Sequence, residues 1–377
     1  VVRRRRACAT RRWQNRRMRF FRSLSLPVVA MALLAACSSS GGSGADTSTA
    51  STPNTIELST LPPTVVTEPP ATTTTEAATT TSTLPPPVYP LTGLPVTDGN
   101  ELAVLRPVVV AKVGNYDAHP QSGANLADVV YEEIINDNVS RFAMVFQSQG
   151  AAEVGPIRSG RLQDVDLLGS LGSPILAWSG GNGTVTREIR DSDLVDMSPN
   201  FCGSACFRVG FDKAPYNLYF DINKAWEQAP PGAGIPPQQF QFRETSAAPG
   251  GVPSAGVLVK MDSYSIDWTW NATSGLYERQ QNGRADKERS GELVTTNNVV
   301  VLEMVYNKGI SNSPDAQSTG TGQVWVFSGG NMVHGTWSRP DRLQPFALTA
   351  DDGPPILLTP GRTFVQLPRT GGNVTPK

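Results

Sequence analysis

The sequence predicts an α+β protein: a mixed α/β domain, then a small, mostly antiparallel β domain, both behind a disordered tether. Three observations carry this. Apolar residues make up 39% of the chain, enough for a sizeable core. Glycine (35) and proline (31) are so frequent that a helical bundle is excluded and turn-rich structure favoured. Between residues 107 and 190 β-branched runs alternate with helical stretches, whereas beyond residue 253 only strand-like segments occur.

The first 90 residues stand apart in composition. Arg19 and Arg22 precede an apolar stretch, residues 24–36, that ends in Leu34-Ala35-Ala36-Cys37. A charged start, a short apolar segment and small residues before a cysteine make a bacterial lipoprotein signal peptide over residues 1–36. Its apolar part falls short of the roughly 20 residues that span a bilayer as a helix. Met18 begins a normal signal of its own, so translation is expected to start there. Cys37 is then the lipidated residue, bearing palmitate-type chains that anchor the protein to the extracytoplasmic face of the cell membrane. Residues 37–90 are rich in Ser, Thr and Pro, with no Lys or Arg between Arg22 and Arg106. Such a segment buries too little apolar surface to offset its ordering entropy, and is expected to be a disordered tether.

Charge narrows the partners. Ten Arg and no acid lie in the first 22 residues, so removal of the leader leaves 22 basic against 33 acidic residues, near −11. That excludes a general nucleic-acid binder, which needs a basic footprint against phosphates.

The remaining chain divides by composition into a domain at 91–235, a Pro/Gly-rich connector at 236–253 and a β domain at 254–370. In the first, strands are expected at 107–113, 129–135, 141–147 and 174–178, a turn at Asn136-Asp137-Asn138, and helices at 162–171 and 184–190. In the β domain, Asn282-Gly283, Gly329-Gly330, Asp352-Gly353 and Pro360-Gly361 mark turns between alternating segments. Trp268, Trp270, Tyr277 and Trp337 read as core or cross-strand residues, with sugar stacking as the alternative.

With Cys37 acylated, Cys202 and Cys206 are the mature cysteines, close enough in an exported chain to close a disulfide. Zinc would need further ligands, and His119 and His334 stand alone, so neither a metal nor another cofactor is expected. Ser122 near His119 is a weak match to a Ser–His pair; a turn set by Pro120 and Gly123 is the simpler reading.

Several stretches resemble the YerB-like bacterial lipoproteins, a family largely described as of unknown function. They include Pro120-Gln121-Ser122-Gly123, Ala127-Asp128-Val129-Val130-Tyr131-Glu132, Gly155-Pro156-Ile157-Arg158-Ser159-Gly160-Arg161 and, later, Asn298-Val299-Val300-Val301 and Pro360-Gly361-Arg362-Thr363. The resemblance runs from about residue 91 to 367 and implies an N- and a C-terminal domain. Two positions depart from it: the family commonly has Arg at the place of His119 and His at the place of Tyr216.

The most informative local feature is the Arg158-Ser159-Gly160-Arg161 loop, which joins a strand to a helix and delivers two guanidiniums and a hydroxyl. Arg141 can join them. Asp128 and Glu132, four apart on a strand, share one face and could orient the arginines or hold a divalent cation. Asn182, in Gly180-Gly181-Asn182-Gly183, sits where ligand-facing loops of α/β sheets lie. Three arrangements fit these residues: a structural ion-pair network, an anion-binding cleft, or a catalytic carboxylate pair. The reading carried forward is a lipoprotein that binds a cell-envelope component, an anionic glycan or lipid-linked precursor. The alternatives are an enzyme acting on a phosphate-containing glycan and a surface scaffold for protein partners, which the sequence does not identify.

Overall fold

Valine-rich runs bounded by Gly, Asn and Pro become strands in the described residues, 87–97 and 99–377 of this computed structural model. The expected signal peptide, the lipidated Cys37 and the tether as far as residue 86 lie outside the described residues. The first half holds β1 (Val109–Gly114), β2 (Val129–Ile134), β3 (Ser140–Phe146), α1 (Gln163–Leu167), β4 (Ile175–Ala177), α2 (Gly183–Asp191), β5 (Val195–Asp196), β6 (Cys206–Arg208), β7 (Leu218–Phe220) and α3 (Ile222–Glu227). The second half begins with β8 (Val252–Pro253), β9 (Gly256–Met261), β10 (Tyr264–Asn271), β11 (Leu276–Gln281), β12 (Arg284–Ala285), β13 (Thr295–Thr296) and β14 (Asn298–Leu302). It continues with β15 (Tyr306–Lys308), β16 (Pro314–Ala316), β17 (Gly320–Ser328), β18 (Asn331–Arg339), β19 (Ala347–Ala350), β20 (Thr363–Leu367) and β21 (Val374–Pro376).

Each element expected between residues 107 and 190 is present, and the fold is α+β as the sequence predicts. The helix expected at 162–171 is shorter: α1 gives way to a 3-10 turn, Gly169–Leu171, and Gly172 ends it in the left-handed region. Asn282 and Gly283 both take positive φ, the conformation a two-residue hairpin between β11 and β12 requires.

The two sequence segments do not build separate sheets. The main sheet runs β19-β18-β17-β14-β20-β2-β3-β1-β4-β5, with β8 beside β18. Within it β20, near the end of the chain, lies between β14 and β2 and is parallel to both. A second sheet, β12-β11-β10-β9-β21, covers one face, with β13 on β11. Local patterning cannot reveal such a pairing, because a buried parallel strand carries no mark of its neighbour.

The main sheet is therefore apolar on both sides. Val130, Ile134, Phe142, Met144 and Phe364 pack against Val257, Ile266, Trp268 and Tyr277 of the second sheet. On the other face Val129, Tyr131, Ala143, Val145 and Val365 meet Leu167 of α1, Ile189 of α2 and Phe240. Burial of side chains of this size stabilises by roughly 1.5–3 kcal/mol each relative to exposure.

Three boundaries move. The folded body already includes Val88, which bridges Pro95, and the buried Tyr89. Only the start of the expected connector is packed into the core, where Phe240 is buried and Gln239 exchanges hydrogen bonds with Ser170; residues 244–253 are largely exposed. At the other end β21 extends the second sheet beyond residue 370. Trp268, Tyr277 and Trp337 are buried in the core rather than offered to a sugar.

Candidate functional site

Alternation along β2 and β3 decides which charges can meet. Glu132 and Asp128 share a face, as their spacing requires, but it is the face turned to the second sheet. Arg141 has the parity of Ala143 and Val145 and lies on the helix-covered face. Neither acid can therefore orient the arginines, contrary to the sequence-based expectation. Asp128 lies at the far end of the β2–β3 hairpin and accepts hydrogen bonds from Gln147 N (2.6 Å) and Ser148 N (2.8 Å). Burial pushes its carboxyl up to about 6 against these hydrogen bonds. Glu132 faces Arg279, whose Nη2 donates to Oε1 (3.0 Å) and Oε2 (2.9 Å); Asn115, Ser140 and Gln366 donate to the same carboxylate.

The arginines do come together. Arg141, 4% exposed, donates from Nη1 to the Ser159 carbonyl at 2.7 Å. Its guanidinium is lowered to about 10 by burial and then by the neighbouring charges of Arg161 and Arg158, while Tyr116 acts in the opposite direction. Arg158 donates to the Pro215 carbonyl (2.8 Å) and lies over Tyr116 and Tyr216, with its guanidinium carbon 5.7 and 4.9 Å from the ring centres. Among the described residues none of these three arginines has a carboxylate within ion-pair distance, whereas Arg190, Arg279, Arg289, Arg342 and Arg369 each do.

Gly160 explains how the loop lies so close to the sheet. A Cβ there would stand 2.8 Å from Trp178 and 3.0 Å from Ile189. Backbone bonds from Gly160 N to Gly180 O and from Ser179 N to Arg158 O tie the loop to the segment before α2. The result is an open cleft of about 330 Å³. Ser159, Gly160, Arg161 and Asn182 line one side; Gly309 and Ser313, of the segment joining β15 to β16, and Asp315 of β16 line the other. Asn182 caps α2, its side-chain oxygen accepting from Val185 N at 2.9 Å. The Ser159 hydroxyl is exposed beside that of Ser179. Burial, and then the charge of Asp166, raise the Asp315 carboxyl above its ordinary value.

Sequence reasoning missed the charges beneath the loop. Lys112 of β1, Glu133 of β2 and Asp164 of α1 are all 0% exposed, and the Lys112 ammonium donates to both carboxylates. Asp164 also accepts from Arg161 N at 2.7 Å, so the triad holds the arginine loop in place. Burial, and then the Asp164 charge, push the Glu133 carboxyl up to about 7. The signal was available: a single Lys in the run Val108-Val109-Val110-Ala111-Lys112-Val113, and two adjacent acids in Val129-Val130-Tyr131-Glu132-Glu133-Ile134, each need a buried partner on opposite faces.

Beyond the cleft, His119 Nδ1 meets Asp212 at 3.0 Å, while Ser122 bonds Glu153, so no Ser–His pair forms. His119 and Tyr216, the two positions that depart from the family pattern, stack on each other with centroids 3.8 Å apart. Cys202 and Cys206 form a disulfide with Cα atoms 5.6 Å apart.

The fold and both halves of the sequence define a family: this chain belongs to the proteins of unknown function DUF3048, whose N-terminal domain matches residues 91–233 and whose C-terminal domain matches residues 257–365. A particular relative is the Bacillus subtilis (strain 168) protein named "Putative lipoprotein YerB", 28% identical over 294 residues, covering 74% of this chain and 85% of the relative. The crystal structure of YerB protein from Bacillus subtilis has the same fold, with a TM-score of 0.67 at 24% identity over 77% of this chain and 99% of that one.

Proposed function

We propose that this protein is a lipid-anchored envelope lipoprotein that binds, without turning over, an anionic glycan or the sugar-phosphate head of a lipid-linked precursor in the cleft that Arg161 lines, with Arg141 and Arg158 close behind it. The observation that carries the reading is the gathering of Arg141, Arg158 and Arg161 with no carboxylate in ion-pair range among the described residues. Like charges held together, one of them nearly buried, are stabilised by an anion in the cleft. Asp315 and Ser159 on its walls favour a ligand that also presents hydroxyls, which a glycan does and a bare inorganic anion does not. Binding is favoured over catalysis because the acids expected to serve as base or metal ligand, Asp128 and Glu132, belong to the opposite face. The anchor rests on Leu34-Ala35-Ala36-Cys37 and on the name of the Bacillus relative.

Thermal unfolding of the full chain with purified anionic wall polymer, neutral wall polymer or lipid-linked precursor tests this. A ligand that binds the native state alone raises the melting temperature with its concentration. The anionic polymer or the precursor should do so, the neutral polymer should not, and Arg161→Ala should abolish the rise while melting unliganded within about 2 °C of wild type, because a partly exposed Arg adds little to stability. A large loss of stability in Arg161→Ala, with no ligand found for wild type, would contradict the reading.

A further inference from the structure

We propose that Lys112 and Asp164 become joined by an amide bond between the lysine Nζ and the aspartate Cγ, formed inside the folded protein with Glu133 carrying the proton. The bond is a covalent staple beneath the arginine loop. It is independent of what the cleft binds.

The geometry assembles every group such a condensation needs. Lys112 pairs in register with Ala143 of β3, and Ala143 with Tyr131 of β2. The small alanine lets the lysine reach across β3 to Glu133, whose Oε1 lies 2.5 Å from Nζ. Asp164 descends from α1 onto the same spot, with Oδ1 2.8 Å from Nζ. The lysine nitrogen and the aspartate carboxyl are thus held in hydrogen-bond contact by two different elements, with Glu133 from a third, which replaces a bimolecular encounter with a positioned one. The other aspartate oxygen, Oδ2, accepts the Arg161 N–H at 2.7 Å, where negative charge would develop as nitrogen adds to Cγ. Glu133 has its second oxygen, Oε2, buried and, among the described residues, without a hydrogen-bond partner. Its carboxyl, raised to about 7, can accept and return a proton near neutrality.

The step balances without any co-reactant. The Lys112 ammonium passes one proton to Glu133, and the freed amine adds to Cγ of Asp164, forming the N–C bond and placing charge on Oδ2. Glu133 returns that proton to Oδ1 and relays a second from the nitrogen. The C–Oδ1 bond then breaks, Oδ1 leaves as water with both protons, and Oδ2 becomes the amide carbonyl. Of three protons on Nζ one stays and two depart, Glu133 ends as it began, and nothing is oxidised or reduced. Burial supplies a driving force, because the ammonium and a carboxylate are costly to keep in an apolar interior and the amide carries no charge.

Tryptic peptide mapping of the full chain by mass spectrometry, after disulfide reduction, tests the bond. Wild type should resist cleavage after Lys112 and yield the peptide that ends at Arg141 joined to peptide 162–187, lighter than their sum by one water. Asp164→Ala and Glu133→Gln, each checked for folding by circular dichroism, should give the two peptides separately and be cut after Lys112. Separate peptides from folded wild type would overturn the proposal. A bond formed equally fast in Glu133→Gln would overturn the role given to Glu133.

Discussion

Replacing Arg279 by Met tests whether Glu132 is a structural anchor between the two sheets rather than part of the cleft. Both side chains are 0% exposed, and Arg279 packs on the edge-to-face pair Phe142 and Phe364, with its guanidinium carbon 5.3 and 5.7 Å from their ring centres. Methionine keeps much of the apolar contact but leaves Glu132 with only the dipoles of Asn115, Ser140 and Gln366, and removes the partner of Asp286. An uncompensated buried charge of this kind costs about 3–5 kcal/mol. The folded body has roughly 290 residues, and at ~2.1 cal/mol/K per residue its unfolding entropy is about 0.6 kcal/mol/K. The melting temperature should therefore fall by about 5–8 °C. Scanning calorimetry on wild type, Arg279→Met, Glu132→Gln and the double variant Glu132→Gln/Arg279→Met measures this. The double variant should recover more than half of the loss, since no charge is then stranded. A fall of under about 1 °C in the single variant, or a double variant as unstable as the two singles added, would refute the reasoning.

Asp128 imposes a pH dependence of definite sign. Its folded carboxyl titrates near 6, above the ordinary 3.8, so its contribution is complete below about pH 4 and is lost as pH rises through 6. Urea unfolding at pH 4.5 and 6.5 should show wild type losing on the order of 2 kcal/mol more than Asp128→Asn over that interval; equal losses would remove the assignment. The Cys202–Cys206 disulfide closes a short loop, so Cys202→Ser/Cys206→Ser should cost about 2 kcal/mol, the low end of the usual range. Reductant should destabilise wild type by the same amount and leave the double variant unchanged. Under the proposed lipid anchor, Cys37→Ala should move the protein from the membrane to the soluble fraction, because acyl chains on Cys37 would supply the anchorage; unchanged fractionation would contradict the lipoprotein reading.

Much of the first half of the fold is legible because its signals are local. Residues 129–135 and 141–147, either side of Asn136-Asp137-Asn138, announce the β2–β3 hairpin, and Asp137 and Asn138 take the positive φ that such a turn needs. The stretch expected as a helix at 184–190 is α2, but Asn182, read from the sequence as a loop residue facing a ligand, is its cap. The order of the main sheet is not legible, since β20 pairs with β2 across more than half the chain and both strands are buried on each face. The site divides in the same way. The arginine loop stands out by residue type, and Arg141 joins it as its position at the start of β3 suggests. Assigning Asp128 and Glu132 to the arginines overlooked the pleat: their shared parity was right, but Arg141 lies on the opposite face. The same rule places Glu133 beside Arg141, and with it the buried triad.

Calorimetric titration of the full chain with purified anionic wall polymer, run on wild type and on Arg158→Ala/Arg161→Ala, reads ligand binding at the arginine loop itself. Each charge-assisted contact is worth about 1.5–3 kcal/mol, so the double variant should bind at least about tenfold more weakly while its melting temperature stays close to that of wild type. Equal affinity in the two proteins, or no heat of binding in wild type with any anionic envelope polymer or precursor, would contradict the claim that the arginine cleft is the binding site.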